Sequence, residues 1–334
     1  IVSGTDERLP VLHDHAKRII WPVSYVRMLD MTNDAGLFRT RAELEKEGVY
    51  PVDGGRLRKG SKVFVPLYEG KMVQMFDHRA ASVTVNPDNL NRPASPMPAL
   101  PSQSIDVNWS STPQFFVAEA DVEWARGLKW AVAFKDVTAP TNVRTMIASI
   151  IPFCGAGNTL PLLFPDSERG VDAYRIQACR YVANLNSFAF DYVARQKVQG
   201  QHVNWYIVEQ LPVVPPAVYA RSIGGRKIAE LVGDEVLHLT YCAFDMRPFA
   251  EDMGYDGEPF RWDEEERRHR QARLDAIYFR LYGIDENDAA YMLDTFPIVR
   301  AQDEQAFGRY RTKELIIAYM RAFAAGDVET RVAL

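Results

Sequence analysis

Three stretches of the chain carry side chains that could do chemistry. Asp53 with Glu69-Gly70-Lys71 fits the loose Asp, then Glu-x-Lys spacing of metal-dependent nucleases, in which two carboxylates hold a divalent cation and the lysine positions a water. The pattern is short and arises often by chance, so a strand-edge ion pair or a phosphate contact competes with it. The second stretch, Phe153 to Leu160 (FCGAGNTL), contains a Gly-Ala-Gly turn of the kind that cradles S-adenosylmethionine. Such a loop needs an acid from the preceding strand, a second acid for the ribose, and an NPPY-type or DPPY-type segment to hold an extruded base. None of these follows, and Asn86-Pro87-Asp88 lacks the second proline and the aromatic, so no cofactor is expected in this chain. The third stretch groups Arg195, Lys197, Gln199, Gln201, His202 and Asn204, side chains that contact phosphates and base edges.

The third stretch lies between two recognisable elements. Val182, Leu185, Phe188, Phe190 and Val193 recur at spacings near three and four, with Asn184, Asn186, Asp191 and Arg195 between them, which predicts an amphipathic helix packed on a sheet. Gln199-Gly200-Gln201 breaks it, and the loose alternation of Val203, Trp205, Ile207 and Leu211 predicts a strand that Pro212 ends. Upstream, residues 62–85 read as two strands joined or bulged near Glu69-Gly70, which puts Lys71, His78 and Arg79 on a strand edge. Residues 86–113 read as a long loop, and 114–117 and 129–134 as strands, with Asn142 and Arg144 just after the second. Helices are predicted over 41–47, 226–244, 264–282 and 312–324. His13 and His15 read as a surface loop, and Asp263 to Glu266 as the acidic first turn of a helix.

The 334 residues hold one large or two ordinary domains, and the 47% hydrophobic content excludes disorder. Lys and Arg number 39 against 44 Asp and Glu, a net charge of −5, so the whole molecule does not advertise nucleic-acid binding. The distribution is uneven: 56–79 is basic and 251–266 acidic. Cys154, Cys179 and Cys242 are too far apart for a zinc site and read as reduced core cysteines of a cytoplasmic protein. No apolar run spans a membrane. The start, Ile1-Val2-Ser3 without a methionine, is neither a signal peptide nor a natural beginning, and the chain is expected to be part of a longer protein.

Several of these segments together resemble one family. Leu185-Asn186-Ser187, Phe190-Asp191-Tyr192, Arg195-Gln196-Lys197, Gly200, His202, Asn204 and the run Gln210 to Pro216 are similar to the end of the target-recognition domain in large single-chain restriction-modification methyltransferases, the type IIG and type IIL enzymes and related phage-defence methylases. A looser version closes the recognition domains of type I specificity subunits. Tyr68 to Met72 (YEGKM), Phe76 to Arg79 (FDHR) and the element around Asn142-Val143-Arg144-Thr145 match in order and spacing, as do Leu274 to Ile284, Asp294 to Val299 and Phe307 to Ile316. The likeness covers about three quarters of the chain, from residue 56 onward.

The resemblance implies an α+β fold: a connecting segment over 1–55, a target-recognition domain over 56–216 with a mixed or antiparallel sheet and a long flanking helix, and a helical region over 217–334. It implies duplex DNA as the partner, contacted by Lys71, His78, Arg79, Asn142, Arg144, Arg195, Lys197, His202 and Asn204. Specificity would pass to an adenine-N6 methyltransferase domain, with a nuclease part in some members, nearer the N-terminus of the parent polypeptide; S-adenosylmethionine would bind there. Two other classes remain open from the residues: a metal-dependent nuclease through Asp53, Glu69 and Lys71, and a protein-docking module of a defence complex.

Overall fold

Short strands dominate the first half of the chain and helices the second, an α+β order. The structure, a computed structural model, describes residues 21, 23–84, 94–166 and 170–334; His13, His15 and Asn86-Pro87-Asp88 lie outside them. In chain order come β1 (Val23–Val26), α1 (Arg41–Lys46), β2 (Tyr50–Pro51), β3 (Leu57–Lys59), β4 (Lys62–Tyr68), β5 (Ala81–Thr84), β6 (Ser95–Pro98) and α2 (Pro101–Ile105). Then follow β7 (Phe116–Ala118), β8 (Trp130–Phe134), β9 (Ala148–Pro152), β10 (Gly155–Ala156) and β11 (Leu162–Pro165). Helices α3 (Gly170–Asn186), α4 (Phe188–Lys197) and α5 (Trp205–Val208) precede a two-stranded ribbon, β12 (Ser222–Ile223) and β13 (Arg226–Lys227). The rest is helical: α6 (Ile228–Thr240), α7 (Arg247–Asp252), α8 (Glu264–Leu281), α9 (Glu286–Asp294), α10 (Pro297–Phe307) and α11 (Arg311–Ala324).

One sheet is antiparallel, in the order β1-β11-β8-β9. The other is mixed: β4 pairs antiparallel with β3 and β7 and parallel with β10, and β2 extends it beyond β3. Strands β1 and β2 come from residues expected to form only a connecting segment, so that segment is woven into both sheets. Within the expected 86–113 loop, β6 pairs with β5 and α2 follows.

The central helix differs most from its expected form. Ser187 divides it, accepting the N–H of Phe190 (3.2 Å) as the cap of α4 and donating to the Asn184 carbonyl (2.8 Å). The polar residues interspersed on the predicted amphipathic face are themselves inside: Asn184, Asn186 and Asp191 are buried. Each has partners from distant segments, as burial of a polar group requires. Asn184 donates to the Tyr282 hydroxyl and accepts from Val214 N–H. Asn186 accepts from Ala148 N–H (2.8 Å) and donates to Ala148 C=O (2.9 Å), the pattern of a peptide in a ladder. Asp191 accepts from the N–H groups of Thr145 and Met146 and from Arg144 Nε.

The predicted 203–211 strand is also corrected: Asn204 precedes the short helix α5, and Trp205 stacks on Tyr25, ring centroids 5.0 Å apart. The helix starts expected at 41 and 264 hold, whereas the helix expected from 226 begins at Ile228, after strand β13. Thr40 and Glu43 cap α1 reciprocally. Asp263 caps α8, whose first turn is Glu264-Glu265-Glu266.

The helical region shares its core with the sheets. Trp130 donates to Asp252, Tyr282 to the Pro212 carbonyl, and Phe188 N–H to Asp275. Burial pushes the Asp275 carboxyl up to about 7, against the pull of Arg144 and the Phe188 N–H. Because this folded value lies above the unfolded one, the folded state keeps the proton longer, and stability falls as pH rises from about 4 to about 7, with the full penalty above that. Asp275→Asn keeps an oxygen for Phe188 and removes the penalty. Its thermal midpoint is expected to exceed wild type at about pH 8 and to converge with it near about pH 4.

Candidate nucleic-acid interface

The nine candidate contacts separate into structural braces and accessible groups. His78 is buried and holds Asp245 through Nε2 (2.9 and 3.0 Å). Its buried neighbour Arg79 donates to the carbonyls of Asp106, Trp109, Ser104 and Cys242. Both tie the FDHR turn to the helical region. The turn is tight: Gln74 and Asp77 exchange two main-chain hydrogen bonds, and Phe76 takes φ +57°, a strained value for a bulky side chain. Arg144 is likewise buried on Asp191, with its guanidinium 3.9 Å from the centroid of the Phe188 ring. Arg195 is nearly covered as well: it donates to the carbonyls of Asn142 and Val143 and lies 4.1 Å from the Phe296 centroid. His78, Arg79 and Arg144 thus turn to partners inside the protein, and Arg195 places two bonds on main-chain carbonyls, so these four are not among the freely accessible groups.

Lys71, Asn142, Lys197, His202 and Asn204 remain accessible. Lys71 is partly held by Glu69 (2.9 Å) and by the Ala94 carbonyl (3.0 Å), and Asn142 donates to Thr138. Lys197, His202 and Asn204 come together. With Gln199, Gln201, Tyr206 and Gln210 they line an open cleft of about 400 Å³ on the turn between α4 and α5. The turn is stapled to the chain just after β8: Thr138 N–H donates to the Gln201 carbonyl (3.0 Å), and Val203 N–H to the Asp136 carbonyl (2.8 Å). A polar cleft thus rests on a rigid ledge, the usual way a scaffold presents groups for binding.

The same ledge joins the cleft to the YEGKM segment. Thr159 accepts Asp136 N–H at its carbonyl (3.1 Å) and Gly70 N–H at its hydroxyl (3.1 Å). Gly70 is required there, since a Cβ would lie 2.5 Å from the Thr159 carbonyl oxygen. Beside it, burial lowers the Lys135 ammonium to about 8. Gly155 and Gly157 of the FCGAGNTL stretch serve packing too: a Cβ at Gly155 would meet Val117 at 2.6 Å, and one at Gly157 would meet Met31 at 2.9 Å.

Three contributors were not singled out from the sequence. Asp136 holds His202 Nδ1 at 2.9 Å and Arg27 at 3.6 Å, and Arg27 also donates to the Tyr25 hydroxyl. Asp136 lies 66 positions from His202 in the chain, and the antiparallel bridge between Val137 and His202 brings them together. The nuclease grouping is not assembled. Asp53 lines a separate cleft with Asp106, Trp109 and Asp245, whereas Glu69 pairs with Lys71. No group of three or more His, Cys, Asp or Glu among the described residues is placed to hold a metal. Cys154, Cys179 and Cys242 are free and buried, and no helix among the described residues is long and apolar enough to cross a membrane. No protein-family model matches the chain, and no curated protein matches its sequence.

Proposed function

We propose that this chain is a DNA target-recognition region, which binds duplex DNA and supplies sequence specificity to an adenine-N6 methyltransferase domain of a restriction-modification or related defence enzyme. S-adenosylmethionine and the transfer chemistry belong to that other domain. The observation that carries the reading is the cleft on the 197–210 turn. It gathers an ammonium, an imidazole and four carboxamides on one accessible surface, the side-chain types that read base edges and phosphates. The resemblance of the YEGKM segment adds to it, because that segment meets this ledge through Thr159, which takes the N–H groups of both Gly70 and Asp136.

The net charge of −5 does not oppose this reading, because only charge within a Debye length of about 8 to 10 Å acts strongly on a phosphate. The test is a salt titration of binding to specific and random duplexes. Lys197→Ala is expected to weaken binding to both alike and to lower the salt slope by about one unit. Lys71→Ala is expected to do less, since Glu69 already holds its ammonium. Loss of Asn204 is expected to cost about 1 to 3 kcal/mol on the proper site and little on random DNA. Absence of any salt-dependent binding, in the chain or in its parent enzyme, would leave the docking-module reading in its place.

A further inference from the structure

We propose that Asp136 is a positioning residue that fixes the tautomer of His202, so that the exposed Nε2 reads the exocyclic amino group of an adenine or cytosine in the major groove. This rests on the DNA-recognition reading given above.

The two side chains occupy opposite environments. The Asp136 carboxylate is 5% exposed, while the His202 ring, 2.9 Å away, is 54% exposed. Asp136 is clamped at both main-chain ends, its N–H on the Thr159 carbonyl and its C=O on Val203 N–H. Its Oδ2 serves His202 and Arg27, and its buried Oδ1 has no hydrogen-bond partner. An ionised carboxylate only accepts, so the ring nitrogen beside it must carry a hydrogen. In the neutral ring that leaves Nε2 as a bare acceptor, on a side chain that lines the cleft with Lys197, Gln199, Gln201 and Asn204.

An acceptor discriminates among bases. In the major groove adenine offers the N6 amino group and cytosine the N4 amino group, whereas guanine offers N7 and O6, and thymine O4, all acceptors. A bare Nε2 bonds the first pair and is repelled by the second. The hydrogen bond to Asp136 costs no reorganisation on binding, because the partner is already held. Asp136→Asn should change the chemistry with little change of shape: its amide can donate to Nδ1, placing the hydrogen on Nε2 and making it a donor.

The test is selection from a randomised duplex library by the wild-type chain, His202→Ala and Asp136→Asn, each first checked for an unchanged thermal midpoint. Wild type should enrich a site with adenine or cytosine at one position that His202→Ala relaxes by about tenfold, leaving the other positions intact. Asp136→Asn should move the preference at that same position toward guanine or thymine. Where the position is adenine, purine lacking the 6-amino group should cost wild type about tenfold and His202→Ala nothing. A preference unchanged in both variants, or a loss spread evenly over all positions, overturns the pairing of Asp136 with His202 as a base reader and leaves DNA recognition standing. A wild-type chain that enriches no sequence overturns both.

Discussion

Asp191→Ala is expected to lower the folding free energy by about 3 to 5 kcal/mol. The carboxylate is fully buried and accepts from Arg144 Nε and from two main-chain N–H groups, while Arg195 Nε stands 3.9 Å away. Truncation leaves the Arg144 guanidinium charged in the interior and leaves Thr145 and Met146 without acceptors, and the desolvation of those groups is not recovered. Removing the charge pair together should cost less than the sum of the single changes, because Asp191→Ala with Arg144→Met no longer strands the Arg144 guanidinium that Asp191→Ala alone leaves in the interior. Urea unfolding of the three variants measures this, and a loss below about 1 kcal/mol for Asp191→Ala would show that the carboxylate is not confined as described.

The second large effect is expected at Phe188→Ala, about 3 to 5 kcal/mol. The ring is 3% exposed, meets Phe296 edge-on at 4.7 Å, and lies beneath the Arg144 guanidinium. It is also the first residue of α4, the helix that ends at Lys197 and leads into the polar cleft. A cavity there removes the Phe296 ring contact and the Arg144 cation contact at once, so DNA affinity should fall as the midpoint falls. An unchanged midpoint would mean that the start of α4 is not core.

These two residues mark where sequence reasoning succeeds and where it stops. Phe188 is legible as core because its spacing from Leu185 and Val193 has a helical period. Asp191 is not: periodicity sorts polar residues to the outside, and nothing local announces that Thr145 and Met146 will lie against it. The same blindness applies to His78, Arg79 and Arg144. Charged residues near loops are usually solvated, but these three satisfy carbonyls and carboxylates up to 167 positions away. Local signals that satisfy themselves do better, as with the Thr40–Glu43 cap and the acidic start of α8. The 203–211 run misleads for a third reason, since aromatic and β-branched residues suit a strand, yet Trp205 gains more by stacking on Tyr25 from a helix that follows Asn204. In the site, Lys197, His202 and Asn204 were legible as a group because they are close in sequence, whereas Asp136 and Arg27 reach it only through the fold.

The Asn186 carboxamide and the Asp191 carboxylate together do what a neighbouring strand would do for residues 145–148. Strand β9 is the outer member of its sheet, and an outer strand with open N–H and C=O groups is a template for edge-to-edge association between molecules. Side chains plug this one over the stretch where it begins, and the plug cannot be copied onto a second chain as a backbone ladder can. Protection against self-association is therefore built into the same two residues that lock the helix to the sheet.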